Sequence, residues 1–94
     1  MAVGLLYLEM GIPLCNSLKD KRSRLKPLIF RLHKEFNISI CEFARQDDKS
    51  STVIGCSMIS DSKTFIEKEF SKIVDFIPHS LGDFEIYSHS TEYF

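Results

Sequence analysis

Two long stretches of this chain repeat apolar residues at the helical period, and short segments with the alternation of strands bracket each of them. In the first, residues 17–36 (SLKDKRSRLKPLIFRLHKEF), Leu18, Leu25, Leu28, Ile29, Leu32 and Phe36 fall on one face. The second runs from a cap at Ser60 or Asp61 to just before Pro78 and repeats Ile66, Phe70, Ile73, Val74 and Ile77. Residues 3–10 (VGLLYLEM), 37–46 (NISICEFARQ), 51–60 (STVIGCSMIS) and 83–89 read as strands, the last opened by Gly82. A polar loop at 47–50 makes the middle two a hairpin, and residues 90–94 are not assigned to the core. Residues 1–94 form a single domain, enough for one hydrophobic core and too few for two.

The order β-α-β-β-α-β has one economical solution. Two right-handed crossovers on one sheet give an α+β, ferredoxin-like sandwich, a four-stranded antiparallel sheet with two helices on one face. The expected core is Leu6, Leu8, Leu25, Leu28, Leu32, Ile40, Ile54, Ile66, Phe70, Ile73 and Val74. Gly4 inside a strand marks a close approach of another element to the backbone. Pro27 removes the hydrogen bond to residue 23, so one kinked helix is expected. The other sheet face is left open. Its strands carry apolar residues at both parities, Leu5 with Leu6 and Val53 with Ile54, where a wetted face would alternate with polar ones. A homo-oligomer, a dimer above all, that covers this face is the expectation.

Charge separates just as sharply. Residues 17–36 hold seven of the twelve Lys and Arg residues and only Asp20 and Glu35 as acids, a net of +5. The rest of the chain holds five bases and eleven acids, a net of −6. On a helical wheel Lys19, Arg22, Lys26 and His33 line one flank of the apolar face, and Lys21, Arg24 and Arg31 line the other. Lys19, Lys21, Arg22, Arg24, Lys26 and Arg31 are therefore the candidate nucleic-acid-binding residues, since a basic helix can neutralise phosphates without reading sequence. The opposing reading is a solvated helix, or Lys21 and Arg22 as internal partners of Glu9 or Glu42. Phe30 points away from the apolar face; a kink at Pro27 would turn it inward, and otherwise it is an exposed anchor for a partner.

Chemistry finds little to work with. Cys15, Cys41 and Cys56 include no CxxC pair and read as buried thiols of a cytoplasmic protein. With His33, His79 and His89 they show no ligand spacing, so no metal and no cofactor are expected. The start of the chain alternates like a strand and lacks the basic region of a signal peptide, and no apolar run approaches a membrane span. Acylphosphatases share this topology but need an Arg-bearing loop after the first strand, and residues 11–16 contain no Arg. RNA-recognition domains of this topology stack bases on aromatics of the third strand, and residues 52–59 have none. Glu42, Asp47 and Asp48 cluster near the hairpin and read as turn residues, apart from Glu42, which needs a basic partner if its face is covered. The expectation is not an enzyme.

The run VGLLYLEMGIP, then SLKDKR, FNISICEF, QD and TVIG resembles the YlxP-like family of small bacterial proteins, from about Val3 to Ile77. The resemblance implies a ferredoxin-like fold and no established activity. It also implies a genetic neighbourhood of translation initiation and ribosome maturation factors. Arg45 stands where the family tends to carry His, and residues 48–52 (DKSST) replace its Leu-Trp-Gln-Arg-Ala run, so no role of that Trp or Arg carries over. Two functions remain: an accessory factor touching ribosomal RNA or a ribosomal particle through the first helix, or a homo-oligomeric module for a protein or metabolite.

Overall fold

A computed structural model describes residues 1–94. The elements follow in the order β1 (Ala2–Gly11), α1 (Leu18–Glu35), β2 (Ser39–Ala44), β3 (Ser51–Ser60), α2 (Lys63–Ser80) and β4 (Glu85–Tyr93). The strands make one sheet in the order β2-β3-β1-β4, every pair antiparallel. Both helices lie on one face, which is the ferredoxin-like arrangement.

The alternation along β1 and β3 sets this layering. Leu6, Leu8 and Met10 of β1, with Ile54, Cys56 and Met58 of β3, turn one way and are buried. Leu25, Leu28 and Leu32 of α1 and Ile66, Phe70, Ile73 and Ile77 of α2 close over them. Ile40 and Val74 are only partly buried at the margin of this core. Gly4 lies under α2, where a Cβ would fall 2.6 Å from Ile66 Cγ2 and 2.9 Å from a Phe70 ring carbon. Burial pushes the Cys56 thiol up to about 12, helped by nearby Cys41. That thiol is chemically silent. Cys41, by contrast, is exposed on the open sheet face, because β2 is an edge strand and odd positions point away from the helices.

Both helices start on a serine cap. Ser17 Oγ accepts from the Asp20 amide at 3.0 Å, and Ser62 Oγ accepts from the Phe65 amide at 3.2 Å. Pro27 does not end the helix, since α1 runs on through it to Glu35 with the ring facing solvent. Pro78 likewise sits inside the last turn of α2 instead of ending it, and the Leu81 amide still reaches the Ile77 carbonyl. Residues 90–93 belong to β4, and Phe94 exchanges both backbone hydrogen bonds with Val3. The tail is therefore part of the sheet. Its polar sequence, SHSTEY across 88–93, hides an edge strand because neither of its faces is deeply buried. No helix is long and apolar enough to cross a membrane.

Candidate functional site

The two flanks of α1 have different fates. On the flank of Lys21, Arg24 and Arg31, every base is absorbed by the fold. Lys21 is almost wholly buried, with 1% of its surface exposed, and its ammonium meets three acceptors. It donates to the Arg45 carbonyl at 2.7 Å and the Asp48 carbonyl at 2.5 Å, and pairs with Glu42 Oε2 at 2.8 Å. Glu42 Oε2 also accepts from Thr52 Oγ1 at 2.6 Å, so this buried charge pair leaves no polar atom stranded. The Arg45 carbonyl can face Lys21 because Arg45 takes a left-handed backbone, φ 64°, which turns the chain out of β2. Arg24 pairs with Asp20 at 3.1 Å and donates to the Pro13 carbonyl at 2.7 Å, clasping the loop between β1 and α1. Arg31 lies 5.4 Å from the centre of the Phe76 ring of α2.

Lys21 is thus withdrawn from any phosphate surface, and Arg24 and Arg31 are engaged within the molecule. The internal-partner reading holds for Lys21 with Glu42 and not for Arg22. Glu9 takes Arg45 of the hairpin loop as its partner instead.

The other flank is free. Lys19, Arg22 and Lys26 are exposed and take part in none of the four ion pairs in the molecule. Phe30 stands among them at 65% exposure, because the helix continues through Pro27 without turning the ring inward. Arg22, Lys26, Phe30 and Lys34 recur every fourth residue, about 6 Å apart along the axis, with Lys19 and His33 beside them. Sequence reading missed the division between flanks, because the wheel places both beside the core and only the positions of the β2–β3 loop, the β1–α1 loop and α2 decide which is covered. Glu42 in a strand with a covered face was the one available signal.

Two carboxylates, Asp48 in the hairpin loop and Asp20 on α1, are held low by their own hydrogen bonds. Asp48 accepts from the Ser50 amide at 2.9 Å, Ser51 Oγ at 2.8 Å and Ser50 Oγ at 3.0 Å. These bonds, with a smaller contribution from Lys21, lower its carboxyl from 3.8 to about 2. For Asp20, desolvation would raise the carboxyl, but Arg24, Cys15 and the Asn16 amide together more than offset it and lower it. A carboxyl held low in the folded state stabilises when ionised, so its contribution is complete above the unfolded value and lost as pH falls. The melting temperature is accordingly expected to fall between pH 3.8 and about 2 partly through Asp48. Comparison of Asp48→Asn with the parent over that window checks it: the variant should melt lower at neutral pH and show a shallower acid loss. Parallel acid profiles would refute the assignment.

Comparison with known proteins places this architecture. The family model described as "Protein of unknown function (DUF503)" matches residues 3–91. The chain belongs to this family. It is also 35% identical over 92 residues to "Uncharacterized protein YlxP" of Bacillus subtilis (strain 168), covering 98% of this chain and 99% of that one. DUF503 membership agrees with the YlxP-like resemblance read from the strand and helix motifs.

Proposed function

We propose that the protein is a non-catalytic RNA-contacting accessory factor whose phosphate-binding surface is the free flank of α1, Lys19, Arg22 and Lys26, extended by Lys34 and Phe30. The carrying observation is that Lys19, Arg22 and Lys26 are placed against the helix's own stability. Lys19 and Arg22 sit near the positive end of the macrodipole, where the first turn offers only Asp20 as an acid and Arg24 has claimed it. Arg22 and Lys26 repel one another across one helical turn, at a cost of about 0.2–0.5 kcal/mol. No acid elsewhere compensates them. Local rules broken without an internal gain mark functional surfaces. Phosphate contacts would supply the gain, and Phe30 offers a face for an unstacked base. The YlxP-like resemblance, with its ribosome-maturation neighbourhood, favours ribosomal RNA or a ribosomal particle as the target.

The test is co-sedimentation of the purified protein with ribosomal subunits and with isolated ribosomal RNA. Four phosphate contacts weaken binding by about 100-fold between 50 and 200 mM salt. The variant carrying Lys19→Glu, Arg22→Glu and Lys26→Glu should no longer co-sediment at 50 mM salt. Its melting temperature should stay within a few degrees of the parent's, since exposed substitutions change stability by about 0.5 kcal/mol or less each. A folded triple variant that still co-sediments overturns the proposal.

A further inference from the structure

We infer that the open face of the sheet binds a second copy of this chain, forming a symmetric dimer whose centre is the Tyr7–Phe43 pair. The face is built by the residues that alternate away from the helices. Val3, Leu5, Tyr7 and Glu9 of β1 lie in register with Ile59, Ser57, Gly55 and Val53 of β3. Ser39 and Cys41 of β2 flank them on one side, and Glu92, Ser90 and Ser88 of β4 on the other. Phe94 pairs with Val3 and continues the apolar end. Ile59 is 65% exposed, Phe43 56% and Phe94 72%, values that a wetted sheet face normally reserves for polar residues.

Its shape and charge select the occupant. Phe43 sits at a bulge between Glu42 and Ala44, leans over Gly55 and meets the Tyr7 ring at 5.1 Å between centres. Beside this projecting ring lies a hollow of about 250 Å³ walled by Leu5, Tyr7, Cys41 and Phe43. Projection and hollow adjoin one another, as an isologous contact requires of a single patch. Glu9 and Arg45 neutralise each other at one margin, and Glu92, beside the Tyr7 hydroxyl, is the one charged side chain of the strand rows outside an ion pair. Such a face has no unpaired cation to attract phosphate and too little charge to repel its own copy. Four strands about 4.8 Å apart and four outward rows about 6.8 Å apart present about 500 Å² per copy. Two copies that cover the whole face therefore bury about 1,000 Å², the threshold for a specific interface. The faces would stack as aligned sheets, crossing at about −30°. None of these residues is on α1, so this inference stands apart from the RNA reading.

Sedimentation equilibrium under reducing conditions tests it. The parent should sediment at twice its 10.9 kDa chain mass at tens of micromolar. The variant carrying Phe43→Glu and Ile59→Glu should sediment as a monomer, with self-association weakened by at least about 100-fold. Cys41 supplies a readout that needs no substitution. In the parent its alkylation by iodoacetamide should be about tenfold slower at concentrations where the dimer is full than after dilution below the dissociation constant. A parent that is monomeric at 100 µM (about 1 mg/ml), with Cys41 reacting at one rate at every concentration, overturns the inference. So does a dimer that survives both glutamates, or one in which Cys41 remains fully reactive.

Discussion

Lys21→Met is expected to destabilise the protein by about 3–5 kcal/mol, the cost of removing one partner from a buried ion pair. In a domain of this size that lowers the melting temperature by roughly 15–30 °C. Methionine keeps the length of the side chain and so avoids a cavity, which isolates the electrostatic part. The ammonium has three hydrogens and three acceptors, Glu42, the Arg45 carbonyl and the Asp48 carbonyl. Without it, Glu42 retains the Thr52 hydroxyl alone, its side chain being only 19% exposed. The two carbonyls lose the donor that ties the β2–β3 loop to α1. Lys21→Arg should rescue little, because a planar guanidinium fork does not fit the space of a point-like ammonium. Lys21→Met combined with Glu42→Gln should recover part of the loss by removing the stranded charge. Urea and thermal melts of these variants decide the matter. A loss below about 1 kcal/mol for Lys21→Met would mean that the pair contributes little beyond its own desolvation.

Gly4→Val should cost about 3 kcal/mol, at the upper end of what overpacking a filled core imposes. Glycine is required here for space and not for backbone freedom, since Gly4 has no positive φ. Its Cα faces Ile66 and Phe70, both essentially buried and unable to withdraw. Any side chain at residue 4 must lift α2 from the sheet or push both residues off their rotamers. Gly4→Ala should show the same direction at about 1–2 kcal/mol. Gly11 is the internal control. A Cβ there would strike the Tyr87 hydroxyl, but Tyr87 is 60% exposed and can swing into solvent. Gly11→Ala is therefore expected to cost less than about 1 kcal/mol. Equal losses at residues 4 and 11 would contradict this account of α2 resting on the β1 backbone.

What the sequence disclosed depended on how local each determinant was. Apolar periodicity is local, and it placed six elements, the layering and the close approach at Gly4. Prolines misled in proportion to their position. Pro78 reads as a stop, yet in a final turn it deletes a single bond, and the helix still closes beyond it through the Leu81 amide. Residues 90–93 carry no strand signal of their own and are held by pairing with β1, a long-range contact. The site was half legible. The basic helix and the outward Phe30 were visible in composition and phase. Which bases the fold consumes depends on where the Arg45 and Asp48 carbonyls come to rest, and a left-handed arginine gives no warning in sequence.

The strand order has a consequence for how the chain comes together. β1 occupies the interior of the sheet, with Leu8 paired to Ile54 on one side and to His89 on the other. As the polypeptide grows, this aliphatic ribbon emerges before either neighbour, with both edges unsatisfied. The hairpin partner comes first, and the second edge waits for residues beyond α2. Such non-local pairing slows folding relative to helical bundles of equal length. Through that interval the nascent ribbon is open to misassociation with other growing chains. Binders of extended apolar segments would thus find their target in the newborn chain, at Leu5, Leu6 and Leu8, and lose it once β4 docks.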